Sequence, residues 1–360
     1  MISSPAATPQ KSAKVRKTGM AEGRPFLVRY FPAIVVAGLV FLVVAVLAHV
    51  SIGTADISLQ DIIRVLTGQQ VDPVTQTIVY ELRLPRAIVA VLAGAMLALA
   101  GAIMQTVMRN PLAEPDLTGA TSGAVFFAVL WLSRDLFYRN VAPPDIGVPA
   151  VAMLGSLVTA GFVYLLSRGR DGQTNAVRMV LTGVMISAIF RSLTSLILLV
   201  NQNATNGILM WLIGSLNGVT WSSWDTIWPW ALVAIPLGIG CAGAANALHL
   251  GDDIASGLGV RVERTRLLLL VVAVLLTAVA VSVVGALAFL GLIAPHISRR
   301  LVGNDARRVF PLSAIMGASI LILADILARS LTRVVALPVG AVMALIGAPF
   351  LIYLLRRVGR

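Results

Sequence analysis

Apolar runs of about 20 residues, each long enough to cross the hydrocarbon core of a bilayer as a helix, recur along the whole chain. Short polar stretches rich in arginine, glycine and proline separate them. The pattern predicts ten spans, near 31–50, 87–107, 117–133, 147–167, 178–200, 225–245, 265–284, 286–300, 312–332 and 338–356, of which the eighth is shortest. Backbone groups in lipid must be satisfied within each segment, so an all-α polytopic bundle follows. The short alternating strands of an outer-membrane barrel are not seen. Between the first two spans lies a polar stretch, 51–86, whose piece Leu59–Leu66 has the apolar spacing of a helix lying along the interface. A second irregular stretch, 201–224, carries Trp211, Trp221 and Trp224, residues that suit the interfacial belt. On the second span, Gly94, Ala98 and Gly101–Ala102 form a face of small residues that allows close helix approach.

Composition agrees with this picture: 58% of residues are hydrophobic and 12% charged, too apolar for a soluble domain. The net charge of +12 would suit nucleic acid, but its placement excludes that partner. Lysine occurs only at Lys11, Lys14 and Lys17, and the remaining positive charge is arginine in short loops. With the N-terminus in the cytoplasm, cytoplasmic segments hold 20 of the 28 lysines and arginines and outer loops hold six. This split predicts both termini inside and an even number of spans. Residues 1–29 form a polar, basic tail expected to be disordered, followed by a membrane domain over 30–360. The first apolar run reads as an uncleaved span, because no small-x-small cleavage site follows it. The lone cysteine, Cys241, excludes an intrachain disulfide and reads as a small core residue.

Several polar features interrupt the apolar pattern. RNPLAEP at Arg109–Pro115 is a proline-broken turn between spans. LGDDIASGLGV at Leu250–Val260 is too short and polar to span. Asp252 or Asp253 would offset the free N–H groups of a short helix there, and Gly257 and Gly259 would end it. Such a helix on a cytoplasmic loop suits contact with a soluble partner, against the alternative of a solvated loop. RLPR at Arg83–Arg86 puts two arginines at the outer mouth, with Arg333 as a third, either as a cationic docking spot or as interfacial snorkelling side chains. Arg191 lies within the fifth span, where a lone charge is costly, and no carboxylate is near it in sequence. It either lines a route for anionic cargo or bonds helix carbonyls. Asp325 and Arg329, four apart, read as a buried structural ion pair. His49, His249 and His296 are far apart, which argues against metal or haem ligation and implies no cofactor. No lysine follows Lys17, so no phosphate-binding loop is present and ATP hydrolysis must reside on another subunit.

The stretch RLPRAIVAVLAGAMLALAGAIMQTVMRNPLAEPDLTGATSG, the phrases WLIGSLNGVTW and LGDDIASGLGVRVERTR, and the C-terminal GALAFLGLIAPHISRRLVGNDARRVFPLSAIMGASILILADILARS and LPVGAVMALIGAPFLIYLL resemble the FecCD family of permeases. The resemblance covers about residues 35–356. It implies a type II importer fold in the bacterial inner membrane and import of a ferric siderophore, most similar to the catecholate type, by alternating access. It implies an ATPase dimer docked at Asp252, Asp253, Ala255, Ser256, Gly257, Leu258 and Gly259. A periplasmic or lipid-anchored binding protein would meet Arg83, Arg86 and Arg333. A second permease chain, a different one more readily than an identical one, would complete the route. Haem or cobalamin import by the same family is the alternative within the class. Two departures from the family pattern, Ala336 before LPVG and Thr118 after the RNPLAEP turn, bear on geometry at the outer mouth.

Other classes fit less well. An ion-coupled secondary transporter would carry intramembrane carboxylates, and Asp325 is the clear candidate, with Arg329 placed to neutralise it. An intramembrane enzyme would show a metal-binding HExxH or a nucleophile elbow, and neither occurs.

Overall fold

The computed structural model describes residues 29–53, 57–133, 147–169, 174–200, 209, 212–331 and 337–358. The basic tail, Trp211 and Arg333 lie outside the described residues. In chain order the helices are α1 (Phe31–Ser51), α2 (Leu59–Leu66), α3 (Pro73–Gln76), α4 (Leu84–Val107), α5 (Ala120–Leu132), α6 (Val148–Ser167), α7 (Ala176–Val200), α8 (Trp221–Gly240), α9 (Ala242–His249), α10 (Asp252–Gly257), α11 (Val262–Val284), α12 (Leu290–Val302), α13 (Ala306–Ser330) and α14 (Val339–Val358). A π-helical stretch, Thr77–Arg83, joins α3 to α4, and a 3₁₀ turn, Pro115–Thr118, precedes α5.

Among the described residues, eight helical stretches are long and apolar enough to cross a membrane. The other two predicted spans are about two thirds of the length needed. α5 and α12 have 13 residues each, about 20 Å against about 30 Å of hydrocarbon. The second span begins earlier than its apolar run suggests, because π-helical turns make Pro73–Val107 one continuous 35-residue stretch. The sixth breaks at Cys241 into α8 and α9. α2 forms where the apolar spacing places it, capped by Ser58, whose hydroxyl accepts from the Asp61 N–H at 3.1 Å.

The centre of the bundle is α4, which packs along α11, α12 and α13. Nearly all of its residues from Pro85 onward are buried. The small-residue face makes this possible. A β-carbon on Gly94 would stand 2.6 Å from the Gly317 carbonyl oxygen, and one on Gly101 would run into the Gly291 backbone. α5, α6 and α7 form a second group that leans on α11.

Where the two groups meet, the backbone is irregular. α11 stops at Gly285 (φ 73°), and α12 starts after Phe289, a non-glycine residue at φ 67°. The Ser215 N–H donates to the Val284 carbonyl at 3.0 Å, and the Gly340 N–H donates to the Gly214 carbonyl at 3.0 Å. Three broken segments therefore satisfy one another, as irregular backbone at membrane depth must when it lines a cavity.

Candidate functional site

That junction borders a cavity of about 470 Å³. Its walls come from Thr121, Ser122 and Val125 of α5, from Arg191, Thr194 and Ser195 of α7, and from Ala286–Ala288 and Gly340. The first turns of α5 and α14 thus face one space. Arg191 stands in it and donates to Asp116 Oδ2 at 3.2 Å, with both side chains open to the cavity. Arg191 has no carboxylate near it in sequence, yet the fold supplies one from 75 residues away. The 3₁₀ turn after Pro115 carries Asp116 back up beside α7, a path that neither hydropathy nor spacing reveals. Ser122 and Ser187 share a buried hydrogen bond at 2.8 Å behind the cavity wall.

At one end of the bundle, α10 projects between α9 and α11. Gly251 (φ 105°) and Gly259 (φ 81°) make its two turns. Of the residues assigned to this segment, Asp253, Ser256, Gly257, Leu258 and Gly259 are exposed, Asp252 is half-buried and Ala255 is buried. Asp252 and Asp253 stand in its first turn, where sequence reasoning expects them. The Asp252 carboxylate is also held by Arg109 at 2.6 Å and Arg266 at 3.1 Å. Arg109 also donates to the Leu248 carbonyl. The RNPLAEP turn therefore braces α10. On the opposite side of the helix, Ile254 and Leu258 are 57% and 66% exposed. They stand one turn apart as an apolar pair facing outward. Sequence reading did not single out Ile254, although its i, i+4 spacing to Leu258 was visible.

Near this end, Asp305 caps α13. Burial opposes its ionisation, but the Asn246 amide, the Arg307 N–H and the charges of Arg308 and Arg307 hold its carboxyl below the usual range. The Asn246 contact, at 2.7 Å, ties α9 to α13.

At the other end the RLPR arginines do not present free charge. Arg83 is 6% exposed and donates to the carbonyls of Val50 and Ser51 at 2.8 Å each. It thereby satisfies the last carbonyls of α1, which lack helical partners. Arg86 grips Asp325 with two bonds, at 2.8 and 2.7 Å. Within this chain, a buried carboxylate and open helix carbonyls draw both arginines inward. Arg329 lies 3.3 Å from Asp325 and also donates to the His49 carbonyl at 3.0 Å. Asp325 further meets His49 Nε2 at 2.7 Å. The anticipated two-residue pair is thus a four-residue cluster.

The sequence matches the model of the FecCD transport family over residues 41–357. The chain belongs to that family. It is 35% identical over 342 residues to the Fe(3+)-citrate import system permease protein YfmE of Bacillus subtilis, covering 95% of this chain and 98% of the relative. It is 38% identical over 281 residues to the cobalamin import system permease protein BtuC of Halobacterium salinarum, covering 78% and 74%. A solved inward-facing conformation of a putative metal-chelate type ABC transporter superposes with a TM-score of 0.78 at 29% identity, covering 91% of this chain and 99% of that one. This FecCD chain is accordingly a multi-span membrane permease and not itself an enzyme. The names of these two relatives differ in cargo, so family membership alone leaves the chelate open.

Proposed function

We propose that this chain is one permease subunit of an ATP-driven importer that carries a ferric siderophore or ferric carboxylate chelate across the bacterial inner membrane by alternating access. The observation that carries the reading is a cationic side chain, Arg191, standing in a cavity at the junction of broken helices within a FecCD bundle. Ferric chelates of these classes are often anionic, and a guanidinium beside helix N-termini lowers the cost of bringing an anion into the bundle. The wall of hydroxyls from Thr121, Ser122, Thr194 and Ser195 offers further polar contacts. Ion-coupled transport fits poorly, because the buried carboxylate Asp325 already has three partners in His49, Arg86 and Arg329 and the cavity carboxylate Asp116 is paired with Arg191.

In this proposal both termini and α10 lie in the cytoplasm, and an ATPase dimer seats on Asp252–Gly259 through the exposed Ile254 and Leu258. A binding protein docks on the opposite face. There Arg83 and Arg86 set the position of α1 and α13 from beneath, and Arg333 is left as the candidate for direct contact. A second permease chain, distinct from this one, supplies the other wall of the route.

The test is reconstitution of the chain with its ATPase and second permease in liposomes, with binding protein and radioactive ferric citrate or ferric hydroxamate outside. Uptake that requires ATP and all subunits is expected. Uptake by this chain alone, or uptake driven by a proton or sodium gradient without ATP, would overturn the proposal.

A further inference from the structure

Among the described residues, Arg109 at φ 49° and Phe289 at φ 67° are the non-glycine positions with a left-handed backbone. That region is crowded for any side chain and most of all for a bulky one. The RNPLAEP turn joins the two. At its start, Arg109 holds Asp252 of α10 at 2.6 Å and the Leu248 carbonyl at 3.1 Å. Further along, the Glu114 carboxylate accepts from the Phe289 N–H. The residues between are bonded to one another. Asn110 Oδ1 accepts from the Leu112 N–H at 2.9 Å, and the Asn110 carbonyl accepts from the Ala113 N–H at 3.0 Å. The turn is therefore built to move as a unit.

Both partners of the Glu114–Phe289 bond adjoin the wall of the Arg191 cavity. Ala288, just before Phe289, lines it, and so does Asp116, just beyond Pro115. The Phe289 ring lies against α14, where a β-carbon on Gly347 would stand 2.2 Å from its Cγ. The first turn of α14 supplies Gly340 and Ala341 to the same wall. The turn also sits under the start of α12, since a β-carbon on Gly291 would stand 3.1 Å from Pro115 Cδ. One hydrogen bond thus ties together the turn, the start of α12 and, through the Phe289 ring, α14.

The contact is under tension on both sides. Glu114 Oε1 is buried with no hydrogen-bond partner, a costly state for a carboxylate oxygen. Asp116, on the same turn, adds a like charge to it. On the other side Phe289 keeps its left-handed backbone. Opening the bond lets the backbone return to negative φ and lets the carboxylate turn away from Asp116. A contact with such costs on each side has two arrangements between which a modest displacement can choose. A fixed brace gains nothing from an orphaned oxygen and a left-handed phenylalanine.

We infer that the Glu114–Phe289 bond is a latch on the cavity, released from α10. Displacement of α10 carries Arg109 and the turn with it. Glu114 then leaves Phe289, and Ala288, Asp116 and the first turn of α14 are free to rearrange around the cavity. The inference rests on the reading of α10 as the seat of the ATPase. The competing route is α11, which runs from beside α10 to the same junction at Gly285. A rigid push through α11 would leave the Glu114 bond closed.

The test is hydrogen–deuterium exchange on this chain assembled with its ATPase and second permease in nanodiscs. Adding the non-hydrolysable analogue β,γ-imido-ATP should speed exchange over 110–116 and 286–292 together, by at least about tenfold. The stretch 321–329 around Asp325 should not change. Glu114→Ala should show the faster exchange over 286–292 without nucleotide, and in liposomes its uptake per ATP hydrolysed should fall about tenfold. Glu114→Gln keeps an acceptor for the Phe289 N–H and should restore both readouts. Exchange over 286–292 that ignores nucleotide in the natural assembly overturns the inference, and that measurement needs no variant to fold. A Glu114→Ala assembly that loses uptake and ATP hydrolysis in equal measure overturns it as well, since a purely structural brace does that. Absence of ATP-driven uptake by the natural assembly would sink the importer reading and the latch with it, whereas normal uptake with an unmoved ratio in Glu114→Ala sinks the latch alone.

Discussion

Arg86 and Asp325 face each other across 239 residues of sequence and close a two-bond contact inside the bundle, at 2.8 and 2.7 Å. The pairing fixes α4 against α13, and Arg329 and Arg83 extend it to the end of α1. A charge gripped in this way is expensive to release, although Asp325 keeps Arg329 and His49 when Arg86 is lost. Arg86→Ala should lower stability by about 1.5–3 kcal/mol, and Arg86→Lys should rescue only part of it, because an ammonium cannot make the paired bonds. Thermal unfolding of the purified chain followed by tryptophan fluorescence measures this. A double-mutant cycle with Asp325→Ala should return a coupling of at least about 0.5 kcal/mol. Additive effects would show that the two groups act independently.

The same contact explains what was legible in the sequence and what was not. Hydropathy alone places the long helices, because a run of about 20 apolar residues has one cheap conformation in lipid. It overstates the length of α5 and α12, which have 13 residues each, and it does not foresee the break after α11, where the Val284 carbonyl accepts from Ser215, far away in the chain. The i, i+4 spacing of Asp325 and Arg329 was visible, since a single helix sets it. The addition of Arg86 and His49 was not, because three-dimensional packing alone sets it. Arg191 stood out by its cost in lipid, whereas its partner Asp116 sits in a turn where a carboxylate attracts no notice. The position of α10 was readable from its length and polarity. The bracing of Asp252 by Arg109 and Arg266 was not.

Close approach of α4 to its neighbours rests on the absence of side chains at two points. Gly101→Ala should drive a methyl group into the Gly291 backbone, costing about 1–3 kcal/mol as overpacking does. Gly240→Ala meets nothing within 4 Å and should stay within about 0.5 kcal/mol of the natural chain. Monodispersity after heating, read by size-exclusion chromatography, separates the two. Equal behaviour would mean that the bundle relaxes around Gly101.

If α10 is the seat of the ATPase, its exposed apolar pair is the contact. Ile254→Asp with Leu258→Asp should abolish co-purification of the ATPase while leaving the thermal stability of the chain near normal, because both side chains already face outward. Arg109→Ala should weaken co-purification less, by about tenfold, since Arg266 still holds Asp252. Retention of the ATPase by the double variant places the contact elsewhere.

Asp305 links acid sensitivity to one helix start. Its carboxyl titrates lower in the folded chain than when unfolded, through the Asn246 and Arg307 hydrogen bonds and the neighbouring arginine charges. Its contribution is therefore fully present above the unfolded value of about 3.9 and is lost as pH falls through the folded value. Asp305→Asn keeps a cap acceptor but removes the charge, so it should lower stability at pH 7 by about 0.3–1 kcal/mol, the worth of a carboxylate at a helix start, and should converge with the natural chain as pH falls through the folded value. Unfolding temperatures measured across that range test the sign. A deficit that persists unchanged in acid would show that the carboxylate charge plays no part.

The pairing of Arg191 with Asp116 makes opposite forecasts for the two residues. Arg191→Ala removes the cation from the cavity and leaves Asp116 to repel an anionic chelate, so ATP-driven uptake of ferric citrate should fall at least about tenfold, an effect of about 1.4 kcal/mol on the barrier. Asp116→Asn frees the guanidinium, so uptake of an anionic chelate should be kept or raised. Both groups border the cavity and are partly open to it, so neither change should much alter yield or unfolding temperature. A purely structural pair behaves otherwise: both variants would lose stability and transport together, and Asp116→Asn would be as damaging as Arg191→Ala. Comparing initial uptake rates of ferric citrate and of a cationic ferric hydroxamate in the same liposomes decides the matter. The ratio of the two rates should move in opposite directions in the two variants, and a ratio that does not move removes Arg191 from the route.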